Sequence, residues 1–179
     1  MILDAAREVF VREGHDQLSM RKLADKIEYS PGTIYLHFSS KEDLLNALVE
    51  ESFTKLAEAL RKTSRQDPVE NLRLGLRAYV DFGLRNPNHY HFAFGVRPPQ
   101  SGPYRPHDAF EYLRQCVRRC LAGGRFRQVE AETAAQALWA VVHGLTSLLI
   151  ARPNFPWVAR GKLVEAVIDN SIRGLQAKE

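Results

Sequence analysis

The 179-residue chain contains only two cysteines, Cys116 and Cys120, and they lie four residues apart in one predicted helix. A disulfide between two such neighbours is uncommon, and a reducing compartment keeps thiols free. We interpret the pair as core thiols, with a reactive or metal-binding pair as the alternative. Neither a disulfide framework nor a cofactor is expected.

The sequence also lacks a secretory signal and a clean membrane-spanning run. Met1 is followed directly by "ILDAA", without the basic and apolar regions of a signal peptide. The most apolar stretch, residues 134–151, is interrupted by polar side chains. These are Gln136, His143, Thr146 and Ser147. A cytoplasmic protein with no membrane partner is therefore predicted.

Positive charge is scarce in the N-terminal part of the chain. The net charge is +4, yet residues 1–50 hold six Lys and Arg against nine Asp and Glu. Overall basicity therefore does not predict nucleic-acid binding, and any such prediction must rest on the placement of particular residues.

Helical periodicity dominates, and no period-2 strand, internal repeat or low-complexity tract is present. Short helices begin at the caps Ser19 and Ser30, and longer ones are predicted over residues 2–13, 41–63, 68–86, 107–121, 130–151 and 158–176. The fourth helix has a capping-box-like start, from Ser39 with Glu42 or Ser40 with Asp43. A short apolar piece, "HYHFAF", precedes a loop over residues 95–106. An all-α fold of about nine helices is expected.

Two of the short helices are separated only by "EYS". Their apolar residues can share a small core, which comprises Leu23, Ile27, Ile34 and Phe38 above Phe10 and Leu45. Two helices joined so tightly and braced by a first helix form a helix-turn-helix, whose second helix enters the major groove. Gly32, at the second position of that helix, is a poor helix former by about 1 kcal/mol, and its missing side chain would let DNA come close.

Residues 1–50 closely resemble the TetR family of transcriptional regulators. The resemblance lies in "ILDAAREVFVREG", "LSMRKLADKI" and "YSPGTIYLHFSSKEDLL". It implies an all-α fold with a helix-turn-helix DNA-binding domain, placed here at residues 1–46. A larger helical domain for ligand binding and dimerisation would occupy residues 47–179.

The resemblance also implies which side chains contact DNA. Those facing bases would be Arg21, Pro31, Gly32, Thr33 and Leu36. Those facing phosphates would be Ser19, Ser30, Tyr35, His37 and Lys41. Taken singly, the serines are also ordinary helix caps, Tyr35 is also a packing residue, and Lys41 is also a solvated charge. Contacts from a basic arm ahead of the first helix, common in the family, are expected either to be absent or to come from residues that precede this sequence.

The stretch "ALWAVVHGLTSLL" is similar to a Trp-x3-His-Gly pattern found in one branch of the family. A ligand role and a buried structural role for Trp139 and His143 are about equally supported. The candidate pocket residues are Tyr79, Phe82, Tyr90, Phe94, Tyr112, Cys116, Trp139 and His143, although ordinary core packing explains most of these aromatics. His89 and His91 diverge on a helix, so no metal site is expected.

An apolar helix in a soluble protein is often covered by a partner chain. We predict a dimer joined by a four-helix bundle across a two-fold axis. The interface residues would be Ala137, Val141, Gly144, Leu148, Val164, Val167, Ile168 and Ile172. The two helix-turn-helix units would then lie about 34–36 Å apart.

The leading hypothesis is a homodimeric repressor that binds a near-palindromic double-stranded DNA operator and is released by a small apolar or amphipathic effector. One alternative is a helical enzyme in which Cys116 or Cys120 pairs with His143, but no nucleophile elbow, phosphate loop or metal signature supports it. The other alternative is a helical adaptor without DNA binding. Because no catalytic signature is found in the sequence, we expect no enzymatic activity.

Overall fold

A computed structural model describes residues 1–14, 17–95 and 107–177. Within these ranges the chain forms nine helices and, as its only β structure, one isolated antiparallel bridge between Phe126 and Gln176. The helices are α1 (Ile2–Glu13), α2 (Met20–Lys26), α3 (Pro31–Tyr35), α4 (Lys41–Arg61), α5 (Pro68–Arg85), α6 (Pro87–Gly95), α7 (Asp108–Ala122), α8 (Ala131–Ala151) and α9 (Arg160–Arg173). The predicted all-α class is confirmed.

Local signals account for most helix ends. Gly14 ends α1 with φ 87°, and its N–H donates to the Phe10 carbonyl at 2.8 Å. The "HYHFAF" piece is helical and belongs to α6. The loop predicted over residues 95–106 lies, apart from Gly95, outside the described residues.

Two helices end earlier than predicted. After α4 the Thr63 N–H donates to the Leu60 carbonyl at 3.1 Å, in a turn tighter than an α-helix, and the Thr63 hydroxyl donates to the same carbonyl at 2.7 Å. After α9 the Leu175 carbonyl accepts from the Arg127 N–H at 2.9 Å, beside the isolated bridge. This pairing replaces the last helical turn that the sequence predicts.

The chain divides into two compact units. The first unit comprises the described parts of Met1–Ser52 and Asn88–Tyr104, and the second those of Phe53–Pro87 and Arg105–Glu179. The domain boundary after residue 46 stays a prediction, since the contacts divide the chain inside α4 and add α6 to the first unit.

The core of the first unit joins α1, α2, α3, the start of α4 and α6. Its buried residues are Ala5, Ala6, Val9, Phe10, Leu18, Met20, Leu23, Ala24, Ile34, Leu44, Leu45, Leu48 and Phe92, with Ile27 and Phe38 packed against them. The shared core predicted between the two short helices is therefore confirmed. Phe92, from α6, was not predicted, and its ring lies 4.5 Å from that of Phe10.

In the second unit α5 packs against α7, α8 and α9, and α8 also contacts α7 and α9. Among the described residues, α8 is the one helix long and apolar enough to cross a membrane by length and composition. Helices in the core of soluble proteins meet the same criterion. Its packing on three other helices explains part of this apolar composition.

Candidate nucleic-acid interface

The turn between α2 and α3 is closed by backbone hydrogen bonds. Ser19 caps α2, since its Oγ accepts from the Lys22 N–H at 3.2 Å. At the other end the Tyr29 N–H donates to the Ala24 carbonyl at 3.0 Å, and the Glu28 N–H to the Asp25 carbonyl at 3.4 Å. These two bonds form a Schellman motif, which needs a left-handed residue that is usually glycine. Here that residue is Glu28, with φ 59°.

Ser30 fixes the start of α3. Its Oγ accepts from the Thr33 N–H at 3.2 Å and lies 3.0 Å from the Thr33 hydroxyl oxygen. Pro31 occupies the first turn, where its missing N–H leaves no bond unmade. Ile34 is fully buried and ties this five-residue helix to the core. The cap and the single anchor fix which side of α3 faces outward.

The junction between α3 and α4 is closed by side chains. Ser40 caps α4, because its Oγ accepts from the Asp43 N–H at 3.1 Å. The Asp43 carboxylate accepts from the N–H and the hydroxyl of Ser39, at 2.9 and 3.2 Å. Of the two predicted caps, the one that forms is therefore Ser40 with Asp43. Lys41 begins α4 directly beside this closed junction.

All the residues predicted to contact DNA belong to the first unit, and all reach its surface. Thr33 and Lys41 are half-buried, and the others are exposed: Ser19, Arg21, Ser30, Pro31, Gly32, Tyr35, Leu36 and His37. Except for Ser19 and Arg21, they lie on one continuous segment, residues 30–41. Their contact with DNA stays a prediction.

Some of the acidic side chains in the first 50 residues lie on α1 and form ion pairs there. The Glu8 carboxylate binds Arg12 at 3.1 Å and Lys26 at 3.2 Å, and Glu13 binds Lys22. By contrast, residues 29–41 contain no acidic side chain at all. The absence of acidic side chains around α3 therefore favours contact with a polyanion there. The net charge of the first 50 residues, which is acidic, does not favour such contact.

In the second unit, two aromatic residues of α8 meet one tyrosine of α5. The Trp139 Nε1–H donates to the Tyr79 hydroxyl at 3.3 Å, and that hydroxyl lies 3.0 Å from His143 Nδ1. Burial lowers the pKa of His143 below its usual value and favours the neutral ring, whose Nδ1 can accept a hydrogen bond from the Tyr79 hydroxyl. Trp139 and His143 therefore have a structural role, because both form hydrogen bonds with Tyr79. Their ligand role stays a prediction.

A second polar group surrounds Asn71, which is buried on α5. Its carboxamide Nδ2 donates to Cys116 Sγ at 3.1 Å and to the Tyr112 hydroxyl at 3.4 Å. Its Oδ1 accepts from the Arg65 N–H at 2.6 Å. Sequence reasoning missed this residue, because a single asparagine inside an amphipathic helix carries no distinctive signal.

The two thiols do not fit a nucleophilic role. Cys116 and Cys120 are both buried, and burial raises the pKa of both, that of Cys120 to about 11. A thiol with such a pKa stays protonated at neutral pH and is a poor nucleophile. His143 bonds with Tyr79 and Ser147, so no bond to a cysteine supports the enzyme alternative.

The remaining candidate pocket residues are divided between the units. Tyr90 and Phe94 belong to the first unit, where their rings lie 4.8 Å apart. Phe82 is buried on α5 in the second unit. His89 and His91 bond and pack separately, against Ser52 and Phe10. The described residues contain no cluster with metal-ligating composition.

The predicted dimer residues on α8 and α9 differ in their orientation. Ala137, Val141 and Leu148 are exposed on α8, and Gly144 is half-buried. On α9, by contrast, Val164, Ile168 and Ile172 are buried inside the single chain and Val167 is half-buried. The side chains of these three buried residues pack into the core of their own unit, and their contact with a second copy stays a prediction.

Two protein-family models match the chain. Residues 2–48 match the family described as bacterial regulatory proteins, tetR family. Residues 72–171, more than half of the chain, match the model described as tetracyclin repressor-like, C-terminal domain.

Individual proteins agree with these matches. The HTH-type transcriptional regulator YobS of Bacillus subtilis is 27% identical over 162 residues, which are 87% of this chain and 80% of that protein. The fatty acid metabolism regulator protein of the same organism is 32% identical over 88 residues, 49% of this chain and 45% of that protein. These relatives are named as regulators, not as enzymes.

Solved structures share the fold. The TetR family transcriptional regulator PfmR from Thermus thermophilus superposes with a TM-score of 0.74 at 24% identity, covering 98% of this chain and 99% of that one. A protein from Rhodococcus sp. RHA1 reaches a TM-score of 0.85 at 24% identity, covering 98% and 94%. The chain therefore belongs to the TetR family of bacterial transcriptional regulators, which bind DNA.

Proposed function

We propose that this protein is a cytoplasmic repressor that binds a near-palindromic operator as a homodimer and is released by a small apolar or amphipathic effector. The observation that carries the proposal is the surface around α3. It combines a helix fixed by Ser30, a closed junction before Lys41, and a stretch of thirteen residues, 29–41, without an acidic side chain.

The exposed side of α8 supports the homodimer. Val141 and Leu148 expose 41% and 53% of their surface, although they lie on the most apolar helix in the described part of the chain. Together with Ala137 and Gly144 they follow one another at helical spacing and form a row of small and aliphatic side chains. Such a row suits close contact with the same row of a second copy.

The aromatic group on α5 and α8 supports an apolar or amphipathic effector. Trp139 and His143 are half-buried, and the ring of Phe110 lies 5.5 Å from that of Trp139. Part of their aromatic surface thus remains accessible, with polar atoms nearby to orient a ligand. An effector can release DNA only if it binds better to a form of the dimer whose two α3 helices are wrongly spaced.

The test is selection of duplexes from a randomised DNA pool, followed by binding assays over a range of salt concentrations. The wild type should retain related sequences with two-fold symmetry. Lys41→Ala should weaken binding to selected and random duplexes by similar factors. The slope of log K against log salt should become shallower by about one for each phosphate that the variant no longer binds.

Lys62→Ala is the matched control, because Lys62 is an exposed lysine of the second unit. It should leave affinity and salt slope unchanged. A wild type that retains no preferred duplex would instead favour the adaptor alternative. If Lys41→Ala weakened binding to the selected duplex alone and left the salt slope unchanged, Lys41 would instead read bases or support the fold.

A further inference from the structure

We propose that Leu36 reads the 5-methyl group of a thymine in each half of the operator, an assignment that rests on the proposed function. Leu36 exposes 84% of its surface, more than any other large apolar side chain in the described part of the chain. A leucine stabilises a protein through burial, so this side chain contributes little to the fold of the free chain.

The backbone holds Leu36 in a defined place. Its N–H donates to the Gly32 carbonyl at 3.1 Å, and the next two N–H groups, of His37 and Phe38, donate to the Ile34 carbonyl at 3.0 Å each. Ile34 is fully buried, and two residues along a helix correspond to a rotation of about 200°. Leu36 is therefore directed away from the core by a fixed turn, not by a loose chain end.

The surface next to Leu36 is open. Gly32 lies one turn earlier on the same side of α3, and helical side chains lean toward the N-terminal end. A Cβ at Gly32 would meet only the Ser30 Oγ, at 3.7 Å. The Leu36 side chain thus leaves Gly32 uncovered, and the edge of a base pair can reach both residues without displacing another side chain.

The chemistry of the side chain selects the base. In the major groove only thymine presents a methyl group, and apolar side chains read it by contact. Leucine has no donor or acceptor, so placing it against the polar edge of guanine, adenine or cytosine would leave those atoms without partners. An exposed leucine at the C-terminal end of this helix therefore matches thymine and discriminates against the other bases.

The experiment uses the duplex that wild-type protein selects from a randomised pool. Each thymine is replaced in turn by deoxyuridine, which removes the methyl group and keeps the base pair. One position per half-site should then weaken wild-type binding about fourfold for each methyl removed. Leu36→Ala should bind the unmodified duplex more weakly and should no longer respond to deoxyuridine at that position.

Val11→Ala is the control, because Val11 is an exposed aliphatic residue on α1 of the same unit. It should keep the wild-type pattern. Equal binding of every deoxyuridine duplex by the wild type would overturn the assignment to Leu36, and so would an unchanged deoxyuridine effect in Leu36→Ala. A wild type that selects no duplex would instead overturn the proposed function, together with this assignment.

Discussion

The two units expose different kinds of surface. Around α3 the first unit presents polar side chains and one leucine, held in place by the caps of Ser30 and Ser40. Along α8 the second unit presents a row of small and aliphatic residues. The surface around α3 is suited to contact a polar and charged groove of DNA. The row on α8 is suited to contact an equally apolar surface, such as the same row of a second copy.

The largest expected effect is on the free energy of unfolding. It should differ between the buried side of α9 and the exposed side of α8. Ile168 is fully buried, whereas Leu148 exposes 53% of its surface. Ile168→Ala should lower the free energy of unfolding by about 2–5 kcal/mol. Leu148→Ala should change it by no more than about 0.5 kcal/mol in the dissociated chain. Urea unfolding at low protein concentration measures both, and similar decreases would remove the distinction.

The next effect concerns the row on α8. A Cβ at Gly144 would meet no atom within 4 Å in the single chain, so a larger residue is tolerated until a second copy packs there. Gly144→Leu should weaken the dimer by about 1–3 kcal/mol through overpacking. Sedimentation at several concentrations would show this, with Gly144→Ala as the smaller control. An intact Gly144→Leu dimer would place the interface elsewhere.

A smaller effect is expected at the turn before α3. Glu28 adopts φ 59°, which is unfavourable for a residue with a Cβ. Glu28→Gly should raise the free energy of unfolding by up to about 1 kcal/mol, because relief of strain is partly offset by the freedom of glycine in the unfolded chain. Glu28→Ala keeps the Cβ and should not stabilise. Equal thermal shifts in the two variants would point to the carboxylate charge instead.

The smallest effect on stability is expected in α3 itself. Gly32→Ala should stabilise the first unit by some tenths of a kcal/mol, because alanine favours helix and meets only Ser30 Oγ. The same variant should weaken operator binding by keeping DNA away from the backbone, and Thr33→Ala should weaken it by removing the base contact predicted for Thr33. Operator affinity unchanged in Gly32→Ala would refute the close-approach role of the glycine.

Sequence reasoning succeeded where the signal is local. The caps Ser19, Ser30 and Ser40 and the end of α1 at Gly14 follow from side-chain and backbone chemistry within a few residues. The pairing of Leu23 with Ile34 in one core follows from helical spacing and a short turn. These features do not depend on distant parts of the chain.

Other features depend on what lies across the fold. The apolar spacing of α9 is the same whether it faces its own core or a second copy, so the buried position of Ile168 could not be inferred from it. The "EYS" turn has no glycine, so nothing in the sequence marks Glu28 as left-handed. Asn71 bonds with Cys116 of α7, which lies 45 residues further along the chain, as well as with the nearby Arg65.

Phe92 has a practical consequence for protein engineering. It lies on α6, some forty residues after the end of the N-terminal segment of its unit, and it is fully buried against Phe10. A DNA-binding module cut from this protein at residue 52 would lack that ring and carry a gap in its core. Removing a buried phenylalanine side chain costs about 3–5 kcal/mol, a large part of the stability of so small a domain. A transplantable module would therefore need α6 grafted alongside residues 1–52, or a larger side chain that fills the space from within.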